Sequence, residues 1–179
     1  MFARLRAMGA LALHGGAFAS PVWLYRVDFV LYPLLAVGIV AVDCRSLEWA
    51  GLAIAGLLLF TFVEYWVHRT VLHQLFFHAA HQRHHTNPDE YVVFPIWYVP
   101  PMFAAFYIVL PLPVFAGFVL GYCWFLGWHH VLHHVDLTAW PRPAQRYGRW
   151  HLAHHRLDDC NFGITVPLWD FVFLSHRRP

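Results

Sequence analysis

What most restricts the fold of this chain is an alternation of dense histidine clusters with long apolar runs. Fourteen of its fifteen histidines lie between His68 and His176, most of them in four clusters: His68 and His73, then His81, His84 and His85, then His129, His130, His133 and His134, then His151, His154 and His155. An affinity tag or a solvated histidine tract is contiguous and terminal, whereas these clusters recur at short fixed spacings between apolar stretches. Neutral imidazole is the commonest protein ligand for transition metals, and about ten of them brought together suffice to surround two ions. A dinuclear, all-nitrogen metal site is the reading these clusters favour.

Composition says which solvent the apolar runs meet. Hydrophobic residues make up 59% of the 179, aromatic residues 18% and charged residues only 12%, more apolar surface than a soluble globule of this length hides from water. A bilayer takes up the excess. The formal net charge of +2 is too small for a nucleic-acid partner, and no basic helix supports one. Cys44, Cys123 and Cys160 are isolated and odd in number, so they form neither a disulfide framework nor a C-x-x-C pair, and packing is the reading for each.

Residues 1–26 read as an uncleaved interfacial segment, because His14, Gly15 and Gly16 interrupt what would be the apolar stretch of a signal peptide. The first span covers residues 29–42, extendable back to Tyr25, and the second runs from about Leu47 to Val67. A third apolar block, residues 92–128, carries no formal charge and is too long for one crossing; Pro111 and Pro113 fold it into a helical hairpin. The expected fold is therefore all-α and integral to the membrane, one domain of four transmembrane helices under a histidine-rich helical cap. All arginines except Arg45 fall on the side of that cap, which the positive-inside rule makes cytoplasmic. Arginine without lysine, with many alanines and glycines, hints at a GC-rich genome; the expected location is a bacterial inner membrane, with termini and histidines on its cytoplasmic side.

Spacing suggests how the clusters work. His129 and His133 are four apart, as are His130 and His134, so on a helix either pair shares a face and both registers are open. The i, i+3, i+4 triplets at His81, His84, His85 and at His151, His154, His155 each place three imidazoles on one helical stripe. His68 and His73 are five apart, a poor helical pair, and are expected to approach from different directions with the helix ending or bending after Arg69. His78 reads as a non-ligand, and His14 and His176 as incidental. Glu64, one turn before His68, is costly at a membrane and is a candidate to hydrogen-bond a ligand imidazole. Asp136, Asp158, Asp159 and Asp170 are further such candidates, with solvated loop charge as the competing reading for all four. An all-histidine site donates no negative charge and leaves two divalent ions electron-poor; iron there can activate dioxygen, whereas zinc has no redox chemistry but binds nitrogen sites more tightly than ferrous iron and can replace it in purified protein.

The segments EYWVHRTVLH (64–73), HQRHH (81–85) followed by VVFP (92–95), HHVLHH (129–134), and HLAHH (151–155) followed by NFGITVPLWDFVF (161–173) resemble the fatty acid hydroxylase and sterol desaturase superfamily. The ordering and the trailing NFG and LWD elements look most like its fatty acid 2-hydroxylase branch, over residues 64–173. The resemblance implies a helical membrane protein with a cytosolic dinuclear site. It also implies, as ligands, His68, His73, His81, His84, His85, His129, His133, His151, His154 and His155, with His129 and His133 chosen by the family's H-x-x-L-H form, here with Leu132 before the second ligand. An N-terminal cytochrome b5 domain, such as many eukaryotic 2-hydroxylases carry, is not expected here, so a separate ferredoxin or cytochrome b5 type carrier with its reductase is the expected electron donor. Two iron ions are the expected cofactors and dioxygen the co-substrate. The expected reaction is hydroxylation of a fatty acyl chain at C2, in a free acid or a membrane lipid. Sterol or carotenoid oxidation and lipid desaturation would use nearly the same histidines. A metal-binding protein or transporter is the rival outside enzymes, but transporters place their polar ligands at the bilayer midplane.

Overall fold

The computed structural model of the chain describes residues 22–44, 46–75, 77–89 and 98–178. Most of the interfacial segment expected over residues 1–26, together with Arg4, Arg6, His14, Arg45 and the VVFP stretch, lies outside them. The described residues are mostly helical, and no strand occurs among them. In chain order the helices are α1 (Val22–Asp43), α2 (Leu47–Trp66, continuing as a π-helical turn over Val67–Leu72), α3 (His78–Thr86), α4 (Val99–Val109), α5 (Leu112–His134), α6 (Arg142–Leu157) and α7 (Leu168–Val172).

Three stretches are long and apolar enough to cross a bilayer: Trp23–Asp43, Leu47–Leu72 and Leu112–His134. The expected hairpin forms, with Leu110 and Pro111 between α4 and α5 and Pro113 tolerated in the first turn of α5, where its missing N–H costs nothing. The expected fourth span is not reached in the described residues. At 11 residues α4 is only about 16 Å long, roughly half of the hydrocarbon thickness. Apolar composition marks a segment as lipid-compatible without saying where its helix begins. Lipid-facing positions such as Ile54, Leu58, Ile108 and Val109 are exposed, as a membrane protein requires.

The turn between α1 and α2 is closed by Ser46, whose hydroxyl caps the Trp49 N–H, and by Asp43, which accepts the Trp49 indole N–H at 2.7 Å. Inside the bundle α2 and α5 cross in main-chain contact. A Cβ on Gly56 would stand 1.9 Å from the Val114 carbonyl oxygen, and one on Gly117 would stand 1.7 Å from that of Ala53. Lipid tails are as apolar as leucine, so helices in a membrane gain by close approach, and small residues permit it. Around the crossing, Tyr32, Phe60, Phe103, Phe115, Phe118 and Tyr122 form an aromatic core. Asp28 of α1 is buried in it and accepts a hydrogen bond from Tyr122 at 3.0 Å, which satisfies a carboxyl group that the sequence reading passed over.

Candidate metal centre

Nearly all the candidate ligands meet at one end of the bundle, in two adjoining groups. Nitrogens of His68, His73, His81, His85 and His154 lie within 4.8 Å of one another, as do those of His84, His129, His133 and His155. His151 stands beside the second group, its Nε2 2.8 Å from that of His133. Each group draws a pair from one spanning helix, α2 for the first and α5 for the second. The two cap helices are shared. On α3, His81 and His85 face the first group and His84 the second; on α6, His154 faces the first while His151 and His155 face the second. The imidazoles of each triplet are thus divided between the two neighbouring groups. His85 and His155 stack at 4.4 Å where the groups touch.

His68 and His73 correct another expectation. They do not approach from different directions, because the helix does not end after Arg69. Its last turn widens to a π-helix, in which the His73 N–H bonds to the His68 carbonyl, so residues five apart come to share a face. Between α5 registers the geometry separates the pairs: His129 and His133 have their Nε2 atoms 3.0 Å apart inside the second group, whereas His130 packs at 5.7 Å against Phe29 of α1 and at 4.7 Å against His134. His78 belongs to neither group, and His176 stacks on Trp150.

The donor set fits cations. His68 Nδ1 faces the Phe162 carbonyl and His154 Nδ1 faces that of Cys160 at 2.7 Å. A carbonyl only accepts, so each Nδ1 carries the proton and each Nε2 turns a lone pair to the group. The Nε2 atoms of His68 and His73 lie 2.9 Å from that of His81, and those of His73 and His154 lie 3.2 Å apart. Two nitrogens held about 2.0–2.1 Å from one ion are about 3.0–3.4 Å apart, so these spacings match ligand edges. In the second group both ring nitrogens of His84 and of His155 are buried with no hydrogen-bond partner among the described residues, and an ion would take up one nitrogen of each ring. Burial, reinforced by neighbouring imidazoles, lowers the pKa of the cap histidines: His73 to about 2, His84 to about 3, and His81, His151 and His154 well below their ordinary value. They are neutral, the form that binds metals.

The turn that follows α6 supplies the supporting carbonyls. Asp158 ends that helix in the left-handed region with φ 55° and brings its carboxylate 2.6 Å from His85 Nδ1. Asn161 follows at φ 56°, buried, its amide bound to the backbone of Trp150 and Arg177. Glu64 does not touch an imidazole, contrary to the expectation. Its carboxylate accepts from the Ile164 N–H at 3.0 Å, the Thr165 N–H at 3.2 Å and the Thr165 hydroxyl at 2.7 Å. Asp170 likewise is no loop charge: fully buried, it accepts from the Phe162 and Gly163 N–H groups, both at 2.8 Å, and from Ser175. Gly163 is confined there, since a Cβ would meet the Val166 oxygen at 2.3 Å. Asp136 closes a local turn with Thr138, and Asp159 pairs with Arg177 at the surface. Cys160, Asn161, Phe162 and Gly163 were missed as positioning residues; the signal lay in the NFG element, read only as a feature of a family.

A narrow apolar cavity leads from this end into the bundle. Phe60, Val63 and Val67 of α2, Met102 of α4 and Phe118 and Phe125 of α5 line it, and it reaches both Glu64 and His68.

Comparison with known proteins agrees with this geometry. The family model described as fatty acid hydroxylase matches residues 53–175. A dihydroceramide fatty acyl 2-hydroxylase of Arabidopsis thaliana is 30% identical over 156 aligned positions, covering 75% of this chain and 64% of the relative. A ceramide very long chain fatty acid hydroxylase of Saccharomyces cerevisiae is 26% identical, covering 92% and 49%, and the fatty acid 2-hydroxylase of Mus musculus is 30% identical, covering 69% and 38%. The chain thus spans from 38% to 64% of the length of these relatives. The solved structure of full-length Scs7p, in which only the hydroxylase domain is visible, superposes with a TM-score of 0.71 at 27% identity, over 86% of this chain and 66% of that one. With an all-helical membrane bundle, two histidine groups at its end and a family match over most of its length, this chain belongs to the fatty acid hydroxylase family.

Proposed function

We propose that the chain is a membrane monooxygenase that hydroxylates a fatty acyl chain at C2, in a free fatty acid or a membrane lipid, using two metal ions, dioxygen and two external electrons. The observation that carries this reading is the convergence of two adjoining sets of imidazoles at one end of the bundle, the first of which meets an apolar cavity through His68. The names of the relatives, fatty acyl and ceramide hydroxylases, support the substrate class and the carbon. His68, His73, His81, His85 and His154 hold one ion; His84, His129, His133 and His155 hold the other, with His151 beside them. Two iron ions, when bound, supply the redox chemistry that these side chains lack; zinc competes for the same nitrogens in purified protein. The cavity walls hold an acyl segment straight, keep water from it and present one methylene to the histidine end. Glu64 and Asp170 fix the turn whose carbonyls keep the Nδ1 protons of His68 and His154 directed outward. The histidine end lies on the cytoplasmic side, where a ferredoxin or cytochrome b5 type carrier delivers electrons. Expression in a host of known lipid content, with mass spectrometry of its acyl chains, tests the reading. A 2-hydroxyacyl product is expected with the intact chain and none with His84→Ala, which also loses metal from one site. A desaturated, sterol or carotenoid product, or metal uptake without any lipid product, would overturn it.

A further inference from the structure

We propose that the groove between α6 and α7 is a binding site for an anionic phospholipid of the surrounding leaflet, with the phosphate on Arg142 and Arg146 and the first acyl methylenes on Phe171 and Leu168. Arg142, Arg146 and Trp150 of α6 line the groove on one side, and Pro167 and Phe171 on the other. Both arginines are exposed, and neither forms an ion pair among the described residues. Trp150 is buried beside them, and no hydrogen-bond partner for its indole N–H stands among the described residues. The groove's depth identifies the occupant as a lipid. Trp169 of α7 donates to the Thr61 hydroxyl at 3.0 Å and packs on Phe62 at 5.0 Å, which holds α7 beside the last turns of a membrane-spanning helix. From that position Leu168, Phe171, Val172 and Leu174 all face outward, an apolar face at the level where acyl chains begin. Arginines that share a groove with Phe171 of such a face meet headgroup phosphates, and a guanidinium pairs with phosphate in bidentate fashion. An acidic protein would match the charge of the arginines but leave the four apolar side chains uncovered.

Full-length protein in mild detergent, titrated with phosphatidylglycerol, phosphatidylcholine or inorganic phosphate and read by native mass spectrometry, tests the site. Retention of phosphatidylglycerol well above phosphatidylcholine is expected, with no adduct from phosphate alone. In the R142Q/R146Q variant, retention of phosphatidylglycerol weakens about thirtyfold, from the usual attraction of two basic residues to an anionic surface. The R149Q control retains it, because Arg149 lines a different groove with Asp89 and Asp136. Equal retention of the two lipids, binding of free phosphate, or an unchanged R142Q/R146Q variant would each overturn the proposal. So would a double variant that keeps its lipid yet no longer accepts electrons from an acidic carrier. The lipid-retention readouts do not depend on hydroxylase turnover.

Discussion

The Glu64 carboxylate accepts three hydrogen bonds from Ile164 and Thr165, two residues beyond the carbonyl that orients His68. In Glu64→Gln an amide N–H₂ replaces one of the accepting oxygens and faces backbone donors, which leaves a buried N–H unpaired at a cost of about 1–3 kcal/mol. Glu64→Gln should therefore unfold at lower denaturant concentration than the parent protein in detergent, and bind less metal. Unchanged stability and occupancy would show that the turn holds itself. At this scale the imidazoles were legible in the sequence and their partners were not. A histidine at i, i+3 or i+4 declares a shared face, but every residue has a carbonyl, so nothing in the letters marked those of Cys160 and Phe162 as the ones that fix two tautomers.

Two helical features carry predictions of their own. The π-helical turn at Val67–Leu72 is an α-helix holding one extra residue, which is why positions five apart align. Removing Thr70 converts the spacing of His68 and His73 to four, about 40° apart on an ordinary helix, so the deletion should retain metal in the first group. An inserted alanine after Thr70 moves His73 about a further 100° round the helix and should lose it; metal analysis of the two purified variants distinguishes these outcomes. At the α2–α5 crossing, Gly117→Val places side-chain atoms where the Ala53 carbonyl already stands. That variant should yield little folded protein by detergent-based size exclusion, whereas Gly127→Val, where a Cβ meets nothing within 4 Å, should behave as the parent. The hairpin was legible because proline leaves a definite mark on a helix, at Pro111 and Pro113. The π-turn was not, since no residue type specifies it and only packing selects it.

For the whole molecule, apolar content announced the membrane, and the arginine distribution suggested its sidedness. Cys44 is exposed in the turn between α1 and α2, at the opposite end of the bundle from the histidines, while Cys160 is buried in the cap. If the histidine end is cytoplasmic, a membrane-impermeant maleimide applied to intact cells or spheroplasts should label Cys44 from outside, and Cys44→Ser should abolish that labelling. Labelling of Cys44 only after lysis would invert the assigned topology. What composition could not disclose was how two remote pairs of histidines come into register, which depends on the crossing of α2 and α5. Because peptide groups meet there at Gly56 and Gly117, the separation of these helices is set by the dimensions of the main chain, as by the jaws of a fixed calliper. Outward-facing side chains such as Leu52, Ile54 and Leu58 take no part in that gauge. They are free to drift with the thickness and fluidity of whatever bilayer the organism maintains, while the chemistry at the far end keeps its measure.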